Sequence, residues 1–95
     1  MASYQVFYSG RVQGVGFRYS VKRIAEGYEV VGLVRNLPDG RVELQIDGEE
    51  TELEAFLLEI AQSSLRHHIK GIESHPIAPM IDRIGFVIEH GGREF

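Results

Sequence analysis

The chain has 95 residues, 43% hydrophobic and 25% charged, proportions that suit one core spanning residues 1–95 and exclude two-domain and disordered readings. Fourteen acidic residues against ten basic ones give a net charge of −4, which opposes general binding to nucleic acid. There is no cysteine, hence no disulfide framework, thiolate metal site or nucleophilic thiol, and with neither a long apolar run nor a leader-like start, a cytoplasmic protein with no membrane contact is expected.

From Tyr4 to Val12 the apolar residues Tyr4, Val6 and Tyr8 recur at every second position, the period of a strand with one face buried, although Phe7 breaks the alternation. Gly10, Gly14 and Gly16 end that regularity, and Phe17, Val21, Ile24, Ala25 and Tyr28 then fall at helical spacing. The spacing predicts a helix from near Arg18 that frays by Gly27 to Glu29, with Gly27 as the candidate left-handed cap. Val30 to Asn36 reads as a buried strand, and Arg41 to Asp47 alternates cleanly enough to imply one wet face. Leu37-Pro38-Asp39-Gly40 between them supplies a turn, because proline pre-sets its entry and glycine accepts positive φ.

After Gly48, Thr51 and Glu54 have capping-box spacing, and Leu53, Phe56, Leu57 and Ile60 form the stripe of a second helix ending among Gln62 to His68. Ile69 to Ile77 and Ile84 to His90 read as two further strands, joined through Pro79 to Arg83. The order β-α-β-β-α-β plus a final strand predicts an α+β, ferredoxin-like sandwich: an antiparallel sheet with both helices on one face.

The chemically informative segment is Gly10-Arg11-Val12-Gln13-Gly14-Val15-Gly16-Phe17-Arg18, a glycine-rich turn from a strand into a helix. Backbone N–H groups there can converge on an oxyanion, the helix dipole adds positive potential, and an arginine offers a fork that matches phosphate. On glycine count alone a tight structural turn explains the segment equally well. A P-loop would need Gly-Lys before Ser or Thr, and a dinucleotide fingerprint would need glycine where Tyr19 stands, so both are excluded.

The same segment resembles, without a mismatch, the acylphosphatase signature Gly-x-Val-Gln-Gly-Val-Gly-Phe-Arg. A second family motif, Gly-x-Val-x-Asn followed by Asp-Gly-x-Val-Glu, is present as Gly32 to Asn36 and Asp39 to Glu43. Where many members carry glycine after the first helix this chain has Glu29, and Ser63 to His68 stands in place of a Gly-Pro turn. The resemblance implies hydrolysis of the carboxyl-phosphate anhydride of small acyl phosphates, with inorganic phosphate as product and neither cofactor nor metal. Its catalytic positions correspond to Arg18, which would hold phosphate, and Asn36, which would position water. The backbone amides of Gly14, Val15, Gly16, Phe17 and Arg18 would cradle the phosphoryl oxygens. A monomer is expected.

Other polar residues read as solvated. His67, His68, His75 and His90 lack the i, i+4 helical zinc spacing. Arg11, Arg35 and Arg41 read as surface charges, with Arg35 able to enrich the field beside Asn36. Glu49, Glu50, Glu52 and Glu54 suit the start of a helix. Two further functions compete with an enzyme. A phosphate-binding module without turnover would not need Asn36, and the length leaves no attached partner domain; a ferredoxin-like RNA-binding sheet would need a basic face and exposed paired aromatics.

Overall fold

The computed structural model describes residues 1–79 and 84–90; the predicted connection over 80–83 and the tail 91–95 lie outside them. Its elements are β1 (Ala2–Gly10), α1 (Phe17–Ala25), β2 (Val30–Asn36), β3 (Val42–Gly48), α2 (Glu50–Gln62), a 3-10 turn (Ser64–His68), β4 (Ile69–Pro76) and β5 (Phe86–Glu89). The five strands form one sheet in the order β4-β1-β3-β2-β5.

Period-two patterning decides which face each side chain takes. Val6 and Tyr8 of β1, Val34 of β2, and Val42, Leu44 and Ile46 of β3 are all buried on one face. Against them α1 lays Phe17, Val21 and Ala25, and α2 lays Leu53, Phe56 and Ile60. Phe56 is fully buried, and covering a side chain of that size stabilises the fold by about 2–3 kcal/mol relative to leaving it in water.

The first four strands in sheet order are antiparallel, but β5 pairs with β2 in parallel, from Gly32 opposite Phe86 to Arg35 opposite Glu89. The sheet is therefore mixed, which corrects the purely antiparallel expectation. β4 runs antiparallel to β1, and β1 and β2 share a direction because each is antiparallel to β3. One reversal after β4 consequently brings the chain to the free edge of β2 running the same way as β2.

Local signals for the helices hold less well than their apolar stripes. Gly27 has no positive φ; α1 closes instead by tightening, with Gly27 N–H donating to the Ile24 carbonyl at 3.0 Å and Tyr28 N–H to that of Ala25 at 3.1 Å. Thr51 is not a cap, since α2 already begins at Glu50 with Glu49 as its N-cap and no side-chain cap. Glu50 and Glu52 in its first turn favour the dipole instead.

The wet face expected for β3 is also corrected. Glu43 and Asp47 are 2% and 5% exposed although they lie on the face away from the helices; for Glu43 the reason is that β3 is the central strand and Gln5 of β1 and Arg35 of β2 bond to it from either side.

Candidate active site

The turn between β1 and α1 has the backbone its glycines permit. Gly14 and Gly16 have φ of 78° and 77°, the left-handed region in which a Cβ would be strained. Gly16 is the N-cap of α1, and the first helical bond runs from Ser20 N–H to the Gly16 carbonyl at 3.0 Å. The N–H groups of Phe17, Arg18 and Tyr19 thus precede the helical ladder and remain as donors at its positive end. No acidic residue occupies that first turn.

Two anchors place the turn. Gln13 donates its amide nitrogen to the carbonyls of Leu37 at 2.8 Å and Arg41 at 2.9 Å. Those acceptors open and close the β2–β3 turn, in which Leu37 N–H also reaches the Arg41 carbonyl at 2.8 Å and Gly40 takes φ of 96°. Val15 supplies the second anchor by packing its side chain against the core.

A cavity of about 320 Å³ lies at this end of the sheet, lined by Val12, Gly14, Gly16, Phe17, Arg18, Tyr19, Asn36, Ile88 and His90. Arg18 and Asn36 therefore meet at one pocket although they come from α1 and the last position of β2. Of the five residues predicted to form the phosphate cradle, Gly14, Gly16, Phe17 and Arg18 line the cavity, whereas Val15 does not.

No carboxylate lines it among the described residues. Arg18 makes one long hydrogen bond, from Nη1 to the Glu89 carbonyl at 3.4 Å. Among the described residues it makes no ion pair, and the Glu89 carbonyl is its one hydrogen-bond acceptor, so most of its N–H donors have no protein acceptor among those residues. Asn36 Oδ1 is buried and has no hydrogen-bond partner among the described residues. A guanidinium without an ion pair among the described residues, beside a helix N-terminus, suits an oxyanion, and Asn36 adds a polar side chain at the same pocket.

The family model described as Acylphosphatase matches residues 4–88. The chain belongs to the acylphosphatase family. An acylphosphatase of Archaeoglobus fulgidus is 41% identical over 73 residues, covering 77% of this chain and 82% of that one. One from Methanospirillum hungatei is 53% identical over 55 residues, or 58% of this chain and 60% of its own length. The crystal structure of acylphosphatase from Bacillus subtilis superposes with a TM-score of 0.84 at 34% identity, covering 94% of this chain and 99% of that chain. Full-length HypF in its phosphate- and nucleotide-bound form superposes with a TM-score of 0.80 at 30% identity, covering 96% of this chain but 12% of that one.

Within this acylphosphatase fold several residues take places that their sequence neighbourhood conceals. Arg35 does not enrich the field at Asn36: adjacent strand residues face opposite ways, and its guanidinium pairs with Glu43 at 2.8 Å and Glu89 at 3.2 Å. His90, expected on open surface, lies at the pocket lining with Tyr19, and both are exposed. Arg41 pairs with Asp39 at 2.8 Å and stands 4.4 Å over the Phe7 ring, which gives the aromatic that broke the β1 alternation a cation partner. Gln13, within the signature but without an evident role there, is the tie between the cradle and the Asn36 strand.

Proposed function

We propose that this chain hydrolyses acyl phosphates to carboxylate and inorganic phosphate as a metal-independent acylphosphatase, with Arg18 and Asn36 as its catalytic residues. The observation that carries this reading is the convergence on one cavity of Arg18, which makes no ion pair among the described residues, the left-handed Gly14 and Gly16, and Asn36.

The phosphoryl oxygens sit among the backbone N–H groups of Gly14, Gly16, Phe17 and Arg18, the cradle residues that line the cavity, and the guanidinium takes two of them in its planar fork. Asn36, at the cavity lining, hydrogen-bonds water through its side-chain amide and orients it in line with the scissile bond. The water oxygen bonds to phosphorus as the bond from phosphorus to the bridging acyl oxygen breaks, and the electron pair leaves on the carboxylate.

An amide is too weak a base to take the water proton near neutrality, so that proton passes to a phosphoryl oxygen of the substrate. A carboxylate is a good leaving group and needs no general acid. Positioning and electrostatics therefore supply most of the catalysis, as they do in phosphoryl transfer generally. Val12, Phe17 and Ile88 give the cavity apolar lining suited to an acyl group. Among the described residues no helix is long and apolar enough to cross a membrane, and a cytoplasmic monomer with a small-molecule substrate completes the proposal.

The test is phosphate release from a model acyl phosphate, with a phosphate monoester as control and EDTA present throughout. Turnover of the anhydride alone, unaffected by EDTA, is expected. Loss of turnover with EDTA and its return with a divalent ion would put a metal where Arg18 and the amides are assigned.

A further inference from the structure

The face of the sheet opposite the pocket carries a chain of charges that the proposed reaction does not use. Glu43 begins it, with a side chain only 3% exposed on the central strand. Its Oε2 accepts from the amide nitrogens of Gln5 and Gln45, both at 2.6 Å, and its Oε1 from Arg35 Nε at 2.8 Å. Arg35 Nη1 extends the chain to Glu89 Oε1 at 3.2 Å. Glu89 ends β5, and its carbonyl is the acceptor of Arg18 Nη1.

Glu89 is thus gripped by its side chain on one face and receives the active-site guanidinium through its backbone. β5 is a short edge strand of four residues, paired only with β2. Few ladder bonds hold its end, so a side-chain tie at Glu89 has a large share in fixing where that carbonyl lies. An exposed pair would contribute little by itself. Here the buried Glu43 carboxylate and its two amide donors hold Arg35 in one orientation before it meets Glu89.

We propose that Arg35 is a positioning residue for Arg18: by bridging Glu43 on the central strand to Glu89 on the edge strand, it fixes the carbonyl against which the Arg18 guanidinium is set. The proposal rests on the reading of Arg18 as the phosphate ligand. A carbonyl orients the guanidinium without cancelling its charge, whereas a carboxylate in the same place would compete with phosphate.

The experiment is a double-mutant cycle read by competitive inhibition with inorganic phosphate. Glu89→Ala removes the side-chain tie but keeps the backbone carbonyl and the Glu43–Arg35 pair, so it avoids the folding risk of Arg35 variants that leave a buried carboxylate alone. In the parent background it is expected to weaken phosphate inhibition about three- to tenfold, and in an Arg18→Lys background less than about twofold, because the group it positions is already gone. Glu89→Gln, whose amide oxygen still accepts from Arg35, should return inhibition to within about twofold of the parent. Thermal midpoints should fall by the same amount in both backgrounds.

Equal weakening of phosphate inhibition in the two backgrounds, or none in the parent, overturns the positioning role while leaving Arg18 as the phosphate ligand. A parent that neither binds phosphate nor hydrolyses an acyl phosphate overturns the functional reading and this proposal with it.

Discussion

The side-chain amide of Gln13 donates to the carbonyl of Leu37 at 2.8 Å, joining the loop that carries Gly14 and Gly16 to the residue immediately after Asn36. A second bond from the same nitrogen to the Arg41 carbonyl, at 2.9 Å, spans the mouth of the β2–β3 turn. Gln13 thereby ties the two halves of the pocket together. Leu37 and Arg41 also bond to each other through the backbone, so the turn survives without Gln13 while the cradle loses its tether.

Gln13→Ala should accordingly lower kcat/KM more than it lowers stability. Two lost hydrogen bonds to partly exposed carbonyls cost about 1–3 kcal/mol of folding free energy, and misplacing reacting groups by an ångström can cost about a hundredfold in rate. Denaturant unfolding and steady-state kinetics on the same preparation check this. A stability loss with unchanged kcat/KM would make Gln13 a structural residue only.

Arg18→Lys should leave the fold intact and weaken inhibition by inorganic phosphate. The ammonium keeps the charge but cannot reproduce the planar fork, and a charge-assisted hydrogen bond is worth about 1.5–3 kcal/mol, roughly ten- to a hundredfold in affinity. Inhibition constants measured beside thermal midpoints separate the two effects. Unchanged phosphate affinity would remove Arg18 from the site.

Glu43 makes stability depend on acid. Burial is the largest single influence on its carboxyl and pushes it up, yet the hydrogen bonds from Gln45, Gln5 and Arg35, with the Arg35 charge, outweigh it and hold the group below its ordinary 4.5. A depressed folded value means stability that is present above the unfolded value and lost as pH falls through the folded one. Below about pH 4.5, the midpoint of the parent should therefore fall more steeply than that of Glu43→Gln. Parallel midpoint profiles for the two proteins would show that the carboxylate carries no such linkage.

Hydrolysis in oxygen-18 water should place the label in inorganic phosphate and none in the carboxylate, because the proposed mechanism directs water at phosphorus. Mass spectrometry of both products distinguishes the routes. Label in the carboxylate would mean attack on the acyl carbon and would overturn the proposed route.

The sequence made the site more legible than the sheet. Gly14 and Gly16 mark left-handed backbone that few other residues adopt, and the Pro38-Asp39-Gly40 turn fixes β2 beside β3, so the pocket's two halves could be placed from local chemistry. The parallel pairing of β5 was not legible, because four residues with ordinary strand composition do not say which edge they join. Nor was the burial of Glu43, since alternation separates two faces but not which of them stays wet; its shelter comes from Arg35 on the hairpin neighbour together with Gln5, 38 residues away in the chain. His90 at the pocket lining depends on the same strand placement. Gly27 and Thr51 were misleading because their chemistry permits a cap without compelling one.

In the proposed mechanism Arg18 holds the phosphoryl group and Asn36 holds the water. Measuring kcat and the inhibition constant for inorganic phosphate on Asn36→Ala tests it most directly. Losing one preorganised hydrogen bond to a reacting group costs about 3 kcal/mol, near a hundredfold in rate. The expected variant is folded, about a hundredfold slower in kcat, and inhibited by phosphate as strongly as the parent. A kcat within about twofold of the parent, or a loss of phosphate inhibition and thermal stability together, would contradict the account and leave Asn36 as a residue that ends β2 before Leu37 and Pro38.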